Sequence, residues 1–157
     1  MRDKRFVAQH RGGPLTKLQH QLLMSWAIRC AEHVLPYFGE AMDPRLLDAL
    51  GVGKAWVTGA ATVGDARKAA VACHKVAREA TDPAAVAVAR SVGHAVATAH
   101  MADHSLGSAL YGLKAVAAVG GSVEAEQLWQ NAHLPLEVRE LVFSARQMRR
   151  GLSKYFC

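Results

Sequence analysis

Reactive side chains crowd into one stretch of this sequence, from Arg90 to Ser105. It holds Arg90, His94, His100, Asp103 and His104 in an otherwise uncharged setting. His100 and His104 stand four residues apart. On a continuous helix they would share a face, at the spacing of two metal ligands on one turn. A zinc-protease motif would need Glu directly after the first histidine, and Met101 stands there instead. The stretch offers no third ligand, although His74 on the preceding segment is conceivable. The plainer chemistry is structural. Histidines near a helix C-terminus bond its last carbonyls or a carboxylate such as Asp103, where positive charge is favoured. Arg90 and His94 are also four apart, and a buried arginine needs a counter-charge or a bound anion. A carboxylate from another helix is the expected partner, ahead of a ligand pocket. Asp103, His104 and Ser105 are adjacent in sequence and cannot take up the geometry of a hydrolytic triad. Gly51-Val52-Gly53 lacks the strand before it and the helix after it that a phosphate loop requires. No catalytic residue, metal or cofactor is assigned.

The elements that must position these residues all read as helices. Thr16-Lys17-Leu18-Gln19 has the pattern of a capping box. Leu18, Leu22, Trp26, Cys30 and Val34 follow at steps of four as one apolar stripe, stopped by Pro36 and Gly39. Asp43-Pro44 and Asp82-Pro83 each place a capping carboxylate before proline, which at the first helical position loses no hydrogen bond. Thr62 caps a helix whose inner face is Ala66, Ala69, Ala70, Cys73, Ala77 and Ala80. From Pro83 to Ala102 the only charge is Arg90. That stretch is mostly Ala, Val, Gly and Ser, which let helix axes approach closely and gain little from lipid, so it is expected to be the central helix and not a membrane span. A corner is expected at Asp103-His104-Ser105, then a helix from Leu106 to Val119, a break at Gly120-Gly121, and a helix capped by Ser122 through about Ala132. Pro135 opens a last helix with the stripe Val138, Leu141, Val142, Ala145, Met148 and Leu152. No alternating β-rich run appears anywhere. The expected fold is all-α: a single-domain multi-helix bundle (15–157) around a buried Ala/Gly-rich central helix, preceded by an irregular basic arm (1–14) that Arg11-Gly12-Gly13-Pro14 keeps from continuing as helix.

At 157 residues the chain can bury roughly 70% of its unfolded surface. It needs neither disulfide nor metal to hold a core of that size. Three cysteines, Cys30, Cys73 and Cys157, show no CxxC or Cys/His spacing, which fits reduced cytoplasmic thiols. The basic start lacks the apolar run of a signal peptide. The net charge of +6 is uneven. Residues 1–20 carry five Lys/Arg against Asp3, residues 139–157 five against Glu140, and the middle is slightly acidic. Arg139, Arg146 and Arg150 fall on one face of the last helix, with Arg149 beside them, a face that would suit phosphates. With few aromatics and no helix-turn-helix pattern, at most weak, salt-sensitive nucleic-acid binding is expected. Trp26, Trp56 and Trp129 read as packing residues.

The order of these pieces resembles a family of small helical bacterial immunity proteins, the fifth immunity class and its relatives. The resemblance runs roughly from Phe6 to Arg150. It is carried by Arg11-Gly12-Gly13, by Trp26-Ala27 with Cys30-Ala31-Glu32-His33-Val34-Leu35, by Val63-Gly64-Asp65-Ala66-Arg67, and above all by Ala89-Arg90-Ser91-Val92-Gly93-His94-Ala95-Val96-Ala97-Thr98-Ala99-His100, with His104 and Gly107 to Tyr111 completing it. It implies a non-catalytic cytoplasmic binder of a protein toxin, with no membrane partner and with self-association left open. Arg90, His94, His100, Asp103 and His104 are the candidate binding residues. The alternative is a His/Arg pocket for a metal or small anion, with enzymatic chemistry. Histidines sealed and bonded to one another favour the binder; an open convergent pocket favours the alternative. With so little acidic field, a toxin partner is expected not to be a strongly basic nuclease, or to meet only a local acidic patch.

Overall fold

The computed structural model describes residues 2–153, with side chains through residue 149. Among them are seven α-helices: α1 (Lys17–Val34), α2 (Pro44–Val57), α3 (Val63–Glu79), α4 (Pro83–Ala97), α5 (His104–Ala118), α6 (Val123–Ala132) and α7 (Leu136–Ser153). The caps act as their residue types require. The Gln19 amide donates to Thr16 Oγ1 at 3.1 Å while the Thr16 amide donates to Gln19 Oε1 at 2.9 Å. Thr62 and Asp65 close a second reciprocal box at the start of α3. Asp43, Asp82 and Ser122 each accept from an amide one turn into their helices. No strand occurs among the described residues, and the single bridge, Ala8 to Leu15, is isolated.

α4 is the central helix, packed against α1, α2, α3 and α5. Ala84, Ala85, Ala87, Ala89, Ser91, Gly93, Ala95 and Ala97 are buried on it, and their small side chains allow that close packing on several sides. It is shorter than its charge-poor stretch. Thr98 Oγ1 donates back to the His94 carbonyl at 3.2 Å, and the chain turns through residues 98–103 before α5 begins at His104. No described helix is long and apolar enough to cross a membrane.

Two apolar cores form, and α1 lies between them. Met24, Ala27, Ile28, Ala31 and Val34 face the first core, with Leu46, Cys73, Val88, Val92 and Val96. Leu23, Trp26 and Cys30 face the second, with Phe6, Leu15, Leu106, Val138 and Val142. The stripe expected at steps of four follows the second core through Leu22, Trp26 and Cys30 and ends at Val34 in the first, missing Met24, Ala27, Ile28 and Ala31, and its first member, Leu18, is 57% exposed. On α7, Val138, Val142 and Ala145 are buried as the pattern requires, but Met148 is exposed. The Leu152 and Arg150 side chains, and Cys157, lie outside the described residues. Cys30 and Cys73 are free and buried; burial drives the Cys30 thiol upward and pushes Cys73 up to about 12, so both stay protonated.

The N-terminal segment makes two single 3-10 turns, Lys4–Phe6 and Gln9–Arg11, and folds back on the body. Phe6 and Leu15 fill the second core, and the Arg5 guanidinium bonds both Asp3 and Ser144 of α7. Gly12 adopts φ +83°, and a Cβ on Gly13 would lie 2.1 Å from the Val7 carbonyl oxygen. Only glycines fit this reversal, which accounts for the Arg11-Gly12-Gly13 run.

Candidate functional site

The reactive stretch assembles into a row of histidine rings along the α3–α4–α5 seam. His74 of α3 stands edge-on to His94 of α4, centroids 5.4 Å apart. His94 in turn approaches His104 of α5 at 5.2 Å, and His104 approaches His100 in the turn at 5.3 Å. Tyr111, two turns along α5, stacks on His94 at 5.2 Å. The rings fit because two glycines leave the helix backbones bare beneath them. A Cβ at Gly93 would lie 2.9 Å from His74 Cε1, and one at Gly107 would lie 2.7 Å from His94 Nδ1. His100 and His104 do come together, but across the turn and not along one helix, because α4 has already ended at Ala97.

Hydrogen bonding fixes the protonation of the row. Arg90 Nη1 lies 2.8 Å from His74 Nδ1, and a guanidinium can only donate, so His74 Nδ1 carries a lone pair and the ring is neutral. His94 Nδ1 and His104 Nδ1 are 3.1 Å apart, which requires one donor and one acceptor. Two imidazolium rings could not share that contact. Burial, then the neighbouring cations, lowers His74 and pushes His94 down to about 4. Burial also lowers His100 and His104, with Asp103 opposing the shift at His104. His100 Nδ1 and Asp103 Oδ1 are buried with no hydrogen-bond partner in the protein.

Two expectations are corrected here. Arg90 was expected to meet a carboxylate from another helix; its partner is the neutral His74 ring, and the guanidinium is only half-buried. Asp103 was expected to hold His100 or His104 by a hydrogen bond. Its Oδ1 is unpaired and its Oδ2 lies 4.0 Å from Arg149. The bond to a helix-end carbonyl is made instead by His20 of α1, whose Nε2 reaches the Thr98 carbonyl, a long-range pairing that no spacing in the sequence signals. Because a hydrogen bond between a cation and a half-buried neutral ring is worth less than a buried ion pair, Arg90→Ala should cost about 1–2 kcal/mol and not the roughly 3–5 kcal/mol of a broken buried pair. Urea denaturation decides between them, and a loss above ~3 kcal/mol would restore a buried counter-charge.

One hydrogen bond joins two rings of the row, His94 to His104; Arg90 takes His74, and His100 and Asp103 each keep a buried atom without a partner in the protein. Among the described residues no three His, Cys, Asp or Glu side chains are placed to hold a metal ion. The arginine face of α7 is also broken up. Arg146 is turned inward, donating to Asn131 Oδ1 at 2.7 Å and Gln130 Oε1 at 2.6 Å while lying over the Trp26 ring. Arg139 and Arg149 remain exposed.

A second group was missed as a site. Trp129 of α6 is not a core residue. It lies half-buried at the surface, flat against His33 of α1 with centroids 3.6 Å apart and planes 2° from parallel, and His133 covers its other side at 4.1 Å. The i,i+4 spacing of Trp129 and His133 was a usable signal; the approach of His33 from α1 was not.

The comparisons with known proteins return one family, described as "Imm-5 like putative immunity protein", which matches residues 13–137. No curated protein and no solved structure matches the chain.

Proposed function

From the premise that the chain belongs to the Imm-5-like immunity family, we propose that it binds a bacterial protein toxin in the cytoplasm and neutralises it by covering its working surface, with no catalytic step of its own. The observation that carries this reading is the family match, which extends from the N-terminal glycine reversal into the start of α7. Part of the histidine row supports it. His94 and His104 bond one another and Arg90 bonds His74, while His100 Nδ1 and Asp103 Oδ1 keep no partner in the protein. Arg90, His94 and His104 then serve to hold α3, α4 and α5 in register, so that the surface a partner meets is rigid, with His100 and Asp103 in the turn between α4 and α5.

Occlusion requires only a stable complementary face, and affinity from a few well-packed anchors is sufficient. The test is co-expression with the toxin encoded beside the gene. Restored growth, with a complex that co-purifies, is the expected outcome. Continued toxicity from every neighbouring toxin despite a folded, soluble chain would overturn the reading.

A further inference from the structure

Charge and exposed apolar surface coincide at one place on this molecule. From Ser122 to Glu140 the chain carries three exposed carboxylates, Glu124, Glu137 and Glu140, and the buried Glu126, against Arg139 alone, within a protein of net charge +6. α6 itself has no Lys or Arg. Its outward face is Glu124, Ala125, Leu128 and Ala132, all exposed, and the chain passes through a three-residue corner to Leu136. Leu136 at 78% and Leu128 at 69% are the two most exposed large apolar side chains among the described residues. Other exposed apolar residues differ in setting: Val71 sits one turn from Arg67, Lys68 and Lys75, and Leu18 directly beside Lys17.

Trp129 borders this face and is already fixed in position. The indole is clamped between His33 and His133, while His33 Nδ1 contacts Glu126 Oε1 at 2.8 Å and His133 Nδ1 bonds the Trp129 carbonyl at 2.8 Å. An open cleft of about 270 Å³ lies against it, lined by Arg29, Glu32, His33 and Trp129. The helix below is anchored. Gln130 Nε2 donates to the Ala109 carbonyl, and Trp26 Nε1 donates to the Gln130 carbonyl, both at 2.9 Å. An aromatic anchor whose rotamer is set before binding loses little entropy on binding.

We propose that the outward face of α6 and its corner with α7 is the toxin-docking surface, with Leu128 and Trp129 as anchors and Glu124 and Glu137 as the rim. The partner it fits is a protein face with an apolar pocket ringed by lysine and arginine. The pattern is that of a specific interface: an apolar centre with a large aromatic, and charge confined to the edge where it steers approach. This surface rests on the toxin-binding reading above and names where and by what chemistry the contact is made.

The experiment measures binding of the toxin encoded beside the gene to the full chain and to exposed-face variants. Leu128→Lys should weaken binding about 30-fold or more. Glu124→Lys should mainly slow association, with a weaker dependence on salt than the unmodified chain. Val71→Ser, on the basic face of α3, should change neither. Trp129→Ala is read beside its circular dichroism, so that lost affinity is not confused with lost fold. Tight binding by the unmodified chain that Leu128→Lys and Glu124→Lys leave intact overturns this surface and spares the toxin reading. No binding by the unmodified chain overturns both. A homodimer that Leu128→Lys dissolves would assign the face to a second copy of this chain and overturn the proposed occupant.

Discussion

Lowering the pH from 7 to 4.5 is expected to destabilise this protein severely, with the loss centred on the α3–α4–α5 seam. Each histidine of the row has its pKa lowered in the folded state, chiefly by burial, and His20 shares the direction. In the unfolded chain these groups titrate near 6.5. The unfolded state therefore binds more protons than the native state below that pH. Stability is full above about 6.5 and falls as pH drops toward the folded value, about 4 for His94. His94 alone would account for roughly 2–3 kcal/mol of order-of-magnitude loss. The geometry sharpens the effect: protonating His74 removes the lone pair that Arg90 uses, and protonating both His94 and His104 sets donor against donor. Among the groups facing the row, Asp103 is the carboxylate, and it opposes the shift only at His104; Arg90, Arg149 and the rings themselves add to it. Asp3, Asp43, Asp65 and Glu79, whose values are lowered below the ordinary carboxylate range, contribute their losses only at more acid pH. The window between 6.5 and 4.5 thus belongs to the histidines. Urea midpoints at pH 7.5, 6 and 4.5 measure it, and His94→Gln should flatten the dependence. A midpoint constant between pH 7 and 5 would show that the rings are hydrated in solution.

Trp26→Ala should be the most damaging single substitution, at about 3–5 kcal/mol. The ring is 1% exposed in the second core, donates to the Gln130 carbonyl at 2.9 Å and lies under Arg146 at 5.2 Å. Its removal opens a cavity and leaves that carbonyl only its longer bond from the His133 amide at 3.3 Å, loosening α1, α6 and α7 together. For a chain of this size the melting temperature should fall by about 10 °C. Trp26→Phe should recover the part due to volume and leave the lost bond, worth about 0.5–1.5 kcal/mol, still visible. A drop of under ~3 °C for the alanine variant would mean that α6 and α7 are held by something other than this residue.

The helical fold was legible because its boundaries are written in local chemistry. Thr16 with Gln19, Asp43-Pro44, Asp82-Pro83 and Ser122 each act on amides within one turn, so a reader of sequence sees what the backbone sees. The central position of α4 followed from the scarcity of charge around Arg90. What could not be read depends on groups far apart in the chain. The other buried face of α1, Met24, Ala27, Ile28 and Ala31, exists because the first core, built from Leu46, Val88 and Val92, closes on it. His74 was noted as a conceivable third ligand, but its pairing with Arg90 needs α3 and α4 side by side. At the early end of α4 the amides of Thr98, Ala99 and His100 bond carbonyls three residues back, a tightening that no residue type in the stretch announces. Trp129 was read as packing because only His133 is local to it, and the second imidazole, His33, arrives from α1.

The placement of α1 between two cores bears on how the protein comes apart. A bundle with one core can fray from an edge, but here either half can open only by stripping a face of the helix that the other half also needs. Melting the first core leaves Met24 and Ile28 bare on a helix still pinned by Trp26; melting the second does the reverse. Partial unfolding is therefore costly from both sides, and the molecule behaves as one cooperative unit. The amides of α1 are accordingly the last to exchange with deuterium, protected to the level of global unfolding.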